Sequence, residues 1–261
     1  MNFLTTDQVR ISYQDMGAGQ PVVLLAGLGS YSTVWQLTQE FLLQHDYRVI
    51  TIDARNQGLS EHTAKGLRIS RHAADVYELL LYLQLENVIG IGNSMGAATW
   101  FSYISIFGTQ HLQAVVDIDQ SPKMINTKNW PYGFKDLTVT NFASYLQQPF
   151  GRATYQNLPD KIYYQNKKLQ QQVPYDSHLN YSLLLDHASQ DWRDIICNLN
   201  IPLLVVAGQR SPFFDCHFAQ KTAQLAPHGQ AQVISQAGHL PMVEQAQVFN
   251  QILDKFLIGL I

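Results

Sequence analysis

The chain has 261 residues, enough for one large α/β domain with a substantial core and room for an inserted subdomain. Its net charge is −3, only 14% of its residues are charged and no segment concentrates Lys and Arg, so nothing marks a nucleic-acid footprint. No stretch approaches the roughly 20 apolar residues of a membrane span, and the N-terminus has no basic segment leading into an apolar run, so a soluble cytoplasmic protein is expected.

In chain order, residues 9–14 alternate Val9, Ile11 and Tyr13 against Arg10, Ser12 and Gln14, which predicts a half-buried hairpin strand at a sheet edge. Residues 22–25 are continuously apolar, as a strand covered on both faces requires, and they empty into Ala26-Gly27-Leu28-Gly29-Ser30. A helix over 33–43 and a strand over 48–53 follow. The next helix, 69–83, carries Ile69, Ala73, Val76, Leu80 and Leu83 as a stripe at steps of four and three. Strands are predicted at 88–92, 114–119, 203–207 and 232–234, with helices at 97–107 and 243–257. This alternation implies right-handed crossovers and a mostly parallel sheet with helices on both faces, the α/β class.

Residues 121–187 break the rhythm. They contain no convincing buried strand but many aromatics, among them Trp130, Phe134, Phe150, Tyr155, Tyr164 and Tyr175. A structureless loop of that length is improbable inside a compact domain, so the interval reads as a mainly helical insertion packed over the sheet by its aromatic side chains. The only cysteines, Cys197 and Cys216, have no metal-site or disulfide-framework spacing and are expected as buried free thiols.

The chemistry centres on Gly92-Asn93-Ser94-Met95-Gly96, where a strand passes directly into a helix. The serine sits on a sharp turn that lifts its hydroxyl clear of the sheet, and the flanking glycines are needed because strand and helix approach too closely for a Cβ. A serine hydroxyl needs a base within reach, and that base needs an orienting acid. His239, in Gly238-His239-Leu240-Pro241 after the last strand, is the best base among nine histidines. Gly27-Leu28-Gly29 before a helix, with Asp53 ending the next strand, imitates a dinucleotide fingerprint, but Ser32 stands where its third glycine belongs.

With Gly27-Leu28-Gly29 and Trp35, Asp53-x-Arg55-x-x-Gly58-x-Ser60, the Ser94 pentapeptide and Gly238-His239-x-Pro241 in this order, the chain resembles the α/β-hydrolase superfamily, on its serine esterase and non-haem haloperoxidase side. The resemblance implies an eight-stranded, mostly parallel sheet with helices on both faces and a helical cap inserted after the sixth strand. It divides the chain into a core of residues 1–120 and 188–261 and a cap of residues 121–187. It implies a nucleophile Ser94, a base His239, and an oxyanion hole formed by the backbone N–H groups of Leu28 and Met95.

The chain departs from the family at the acid. Many relatives carry Gly-x-x-Asp-Pro after the seventh strand, whereas this chain reads Gly208-Gln209-Arg210-Ser211-Pro212. Asp119, at the end of the sixth strand, is the favoured replacement and Asp215 the alternative; a degenerate triad is the third outcome. Asp53 and Arg55 read as structural.

The activity so implied is hydrolysis of a small-molecule carboxylic ester through an acyl-enzyme. Perhydrolysis or carbon–carbon bond hydrolysis are variants on the same site. A ligand-sensing protein with a weak triad is the competing class. No cofactor and no metal are called for, no nucleic-acid or membrane partner is expected, and monomer and homodimer both remain open.

Overall fold

A computed structural model describes residues 1–260. Eight strands form one sheet in the order β1-β2-β4-β3-β5-β6-β7-β8. They are β1 (Asn2–Leu4), β2 (Arg10–Met16), β3 (Pro21–Leu25), β4 (Arg48–Ile52), β5 (Val88–Asn93), β6 (Leu112–Ile118), β7 (Leu203–Gly208) and β8 (Gly229–Ile234). The β1–β2 and β2–β4 pairs are antiparallel and every other pair is parallel. The α/β-hydrolase fold with its eight-stranded, mostly parallel sheet is therefore as expected, with one local correction. The strand at residues 10–16 belongs to a hairpin at the sheet edge, as expected, but it is the inner strand: β1, too short to show alternation, pairs outside it.

Ten helices accompany the sheet among the described residues: α1 (Gln36–Gln44), α2 (Ile69–Tyr82), α3 (Met95–Phe107), α4 (Phe142–Leu146), α5 (Asp160–Gln172), α6 (Tyr181–Ser189), α7 (Arg193–Cys197), α8 (His217–Leu225), α9 (Pro241–Glu244) and α10 (Ala246–Ile258). A 3₁₀ turn, Ser32–Trp35, precedes α1, so the predicted helix over 33–43 divides in two. The predicted C-terminal helix also divides. Proline starts a helix early because its fixed φ and missing N–H cost nothing in the first turn, and the backbone leaves helical geometry at Gln245 (φ −134°, ψ 49°) before α10 begins.

The period-2 geometry of a strand splits the apolar runs between two cores. Val23, Leu25, Ile50, Ile52 and Val205 pack with α2, α3 and α8 on one face. Val22, Leu24, Val49, Ile89, Ile91 and Val206 pack with α1 and α10 on the other. The inner strands β3, β4, β5, β6 and β7 are thus buried on both sides, which is why they read as continuous apolar runs rather than alternations.

Between β6 and α7 lie α4, α5 and α6, and among the described residues this interval contributes no strand to the sheet, only isolated bridges. The expectation that its aromatics pack it down holds for Trp130 and Phe134, which are buried, but not for Tyr155, Tyr163 and Tyr164, which are exposed. Both cysteines are free; contrary to expectation neither is buried, Cys197 being exposed and Cys216 half-buried. No described helix is long and apolar enough to cross a membrane.

Candidate active site

Ser94 stands between β5 and α3 at φ 54°, ψ −125°. A non-glycine residue in this region stores roughly 1–3 kcal/mol of strain, which the surrounding packing must over-determine. That packing is visible: a Cβ on Gly92 would lie 2.3 Å from the Ala97 nitrogen, and one on Gly96 would lie 2.1 Å from the Leu25 oxygen. The elbow is further tied to β6 by the Ser94 N–H, which donates to the Ile118 oxygen at 2.9 Å. Met95 opens α3, so its amide belongs to the unpaired first turn of that helix.

Asp119 follows β6, is fully buried, and also has positive φ, 54°. Its Oδ2 accepts from His239 Nδ1 at 2.6 Å and from Ser211 Oγ at 2.6 Å, while its Oδ1 accepts from the Gly208 N–H at 2.9 Å. The ends of β6 and β7 and the loop after β8 therefore converge on one carboxylate. The backbones meet so closely that a Cβ on Gly208 would come 1.9 Å from the Gly238 oxygen.

A second carboxyl lies beside it. Burial first, and then the adjacent Asp119 charge, push the Asp117 carboxyl well above the ordinary carboxylate range and favour its neutral form. A neutral Asp117 beside Asp119 spares the buried pair two like charges.

The His239 loop is held by main-chain contacts that its own sequence does not announce. The His239 N–H donates to the Ala153 oxygen at 3.0 Å. The largely buried Glu244 carboxylate accepts from the N–H groups of Gly238 and Leu240 on either side of the histidine, and from those of Tyr155 and Gln156. Asn93, fully buried and one residue before Ser94, donates through Nδ2 to the Ile118 oxygen at 3.1 Å and to the His239 oxygen at 3.0 Å, fastening the elbow to the histidine loop. Among the described residues no hydrogen bond joins the Ser94 hydroxyl to the His239 ring; bonds of this kind often tighten only around bound substrate.

The loop after β3 lies against the elbow, since a Cβ on Gly27 would be 3.0 Å from the Ser94 Cβ. Leu28 follows directly, and the Gly29 N–H donates to Oε1 of the buried Gln57. Asp53 accepts from the N–H groups of Ser32 and Leu59, bracing this loop against the one after β4. Arg55 is buried and paired with Asp7 and Asp75. Among the described residues no hydrogen bond joins Asp215 to His239: Asp215 is exposed and accepts from the backbone and ring of His217. Asp215, Cys216 and His217 bring three ligand atoms within 4.8 Å of one another at the start of α8.

An aromatic wall flanks the histidine, with the Phe213 ring edge-on to His239 at 4.6 Å between centroids and the Phe214 ring at 6.1 Å. Phe134 packs on both phenylalanines and on Phe150. Sequence reasoning brought Ser94, Asp119 and His239 forward but missed the supporting roles of Asn93, Gln57, Ser211 and Glu244. Only Ser211 carried a signal, as the residue standing where relatives place their acid.

A family model described as the alpha/beta hydrolase fold matches residues 20–246. The chain is 25% identical to a non-heme haloperoxidase of Rhodococcus erythropolis, over 98% of this chain and 99% of that protein. It is 26% identical to a pimeloyl-[acyl-carrier protein] methyl ester esterase of Vibrio cholerae, over 94% and 96%. A stretch of 126 residues is 35% identical to a protein of Synechocystis sp., spanning 48% of this chain and 46% of that one. Its fold superimposes on an esterase from Exiguobacterium antarcticum with a TM-score of 0.85, at 22% identity and 98% coverage of both chains. With a match spanning most of its length, and the sheet and elbow described above, the chain belongs to the α/β-hydrolase family of enzymes.

Proposed function

We propose that the protein is a serine hydrolase of small-molecule carboxylic esters that works through an acyl-enzyme on Ser94. The observation that carries the reading is the 2.6 Å bond between Asp119 Oδ2 and His239 Nδ1 at the strand ends beside the Ser94 elbow. A proton held on Nδ1 by Asp119 leaves the His239 Nε2 lone pair as the base. His239 takes the Ser94 proton as the hydroxyl attacks the ester carbonyl, returns it to the leaving alcohol, and then activates water to release the acid. Asp119 keeps the ring oriented and stabilises the imidazolium. The N–H groups of Leu28 and Met95 receive the tetrahedral oxyanion, each worth about 3 kcal/mol in the transition state.

Residues 1–120 and 188–261 serve as the catalytic core and residues 121–187 as the cap. This division is supported by two contacts: residues 153–156 meet the His239 loop, and the Tyr175 ring would lie 3.2 Å from a Cβ on Gly29. The phenylalanines beside His239 make an apolar acyl or aryl group the preferred fit.

The test is kcat/KM on p-nitrophenyl acetate, decanoate and phenylacetate, with Ser94→Ala as control. Turnover that disappears in the variant and differs among the three esters is expected. Wild-type rates no higher than those of the variant would overturn the reading, and equal rates across the panel would overturn the selective pocket. The haloperoxidase relative, aligned over 98% of this chain, favours perhydrolysis as a second reading. It predicts conversion of a carboxylic acid and hydrogen peroxide into a peracid and water, with the peracid then oxidising added bromide to a halogenating species and returning to the acid. Bromination therefore needs acid, peroxide and bromide together and is lost in Ser94→Ala.

A further inference from the structure

Ser211 holds the place of the missing acid, yet it is not an idle replacement. Its Oγ lies 2.6 Å from Asp119 Oδ2, the same oxygen that His239 Nδ1 contacts at 2.6 Å. A carboxylate oxygen that already accepts from His239 Nδ1 offers the hydroxyl only lone pairs, so the hydroxyl donates. Two longer contacts point the same way: the N–H groups of Phe213 and Phe214 approach Ser211 Oγ at 3.3 and 3.4 Å and occupy its lone-pair side. The hydroxyl proton is thereby committed to Asp119.

An aspartate side chain turns freely about its last torsion unless its oxygens are fixed. Here Gly208 fixes one oxygen and Ser211 fixes the other in the position His239 needs. The same turn carries Phe213, whose ring packs edge-on against the imidazole. Resting on the acyl-enzyme reading above, we propose that Ser211 is a positioning residue. It orients the Asp119 carboxylate, and through it the His239 ring, by donating one charge-assisted hydrogen bond. Its effect falls on turnover and not on substrate binding.

Three substitutions separate donation from packing. Alanine removes the group; cysteine keeps a similar shape but is a weak donor; threonine keeps the hydroxyl. Ser211 is half-buried at the edge of an open groove, and threonine is the replacement that keeps its donor. The prediction is that Ser211→Ala and Ser211→Cys lower kcat on p-nitrophenyl acetate by on the order of tenfold or more with KM changed less than about twofold, while Ser211→Thr stays within about threefold of wild type.

Wild-type kcat in Ser211→Cys, a loss confined to KM, or a threonine variant no better than alanine would each overturn the proposal. Fluorophosphonate labelling distinguishes the two levels of the argument. A wild-type protein that forms no adduct at Ser94 removes the hydrolase reading and the positioning role together. Full wild-type labelling and turnover, matched by Ser211→Ala, removes the positioning role alone.

Discussion

Replacing Asp119 with asparagine tests how the base is oriented. The carboxylate is fully buried and accepts from the Gly208 N–H, Ser211 Oγ and His239 Nδ1. Asparagine supplies one oxygen and one NH₂. If its oxygen faces His239 and Ser211, its NH₂ confronts the Gly208 N–H; if the amide is reversed, two donors lose their acceptor. Each buried donor left facing another donor costs about 1–3 kcal/mol, so a stability loss of at least that size is expected in urea unfolding. The reversed amide also drives the imidazole proton to the wrong nitrogen, which in a comparable triad lowers turnover about 10⁴-fold.

The assay is kcat on p-nitrophenyl acetate for Asp119→Asn beside Asp215→Asn, whose native carboxylate hydrogen-bonds to His217. A fall of about 10²–10⁴ in the first and less than about twofold in the second is expected. If the Asp119 variant retained a tenth of wild-type turnover while the Asp215 variant lost it, the acid would be misassigned.

Asp117→Asn should be nearly silent, because asparagine mimics the neutral acid that burial and Asp119 already favour and can keep the bond from the Gln120 N–H. A change below about 1 kcal/mol in unfolding free energy is expected, and a loss beyond about 3 kcal/mol would indicate a buried ionised carboxylate instead. Acid should unfold the protein through two buried histidines. Burial lowers His72 to about 4, against the opposing pull of Asp75, and lowers His187 to about 4 with a further push from His72. The unfolded chain, with ordinary values near 6.5, binds more protons between those limits. Each ring's contribution is therefore complete above pH 6.5 and drains away as pH falls toward 4, by about 3 kcal/mol per ring. Urea midpoints measured from pH 7 to 4 should fall with a slope that flattens in a His72→Gln variant; an unchanged slope would contradict the neutral buried ring.

Much of the frame could be read before any coordinates because parallel strands buried on both faces leave unbroken apolar runs, and because the elbow needs small residues at Gly92 and Gly96. Where burial is partial the pattern fades. β1 is three residues long, and β8 begins with Gly229-Gln230-Ala231 at the opposite edge, so neither displays its full length in alternation. In the site, Ser94 and His239 stand in motifs, whereas Asp119 could only be ranked against Asp215. Their separation depends on how β6 and β7 end relative to the loop after β8, a three-dimensional relation that spacing does not encode. Asn93, Gln57 and Glu244 escaped notice for a related reason: their partners are backbone groups, most of them distant in the chain, and main-chain partners impose no residue type that a reader could recognise.

The most direct test of the account is to treat the protein with a fluorophosphonate, digest it and map the adduct by mass spectrometry. One adduct per chain on Ser94, absent in Ser94→Ala and formed more slowly by at least about 10²-fold in His239→Ala, is the predicted result. Labelling at another residue, or at Ser94 with a rate indifferent to His239, would contradict it.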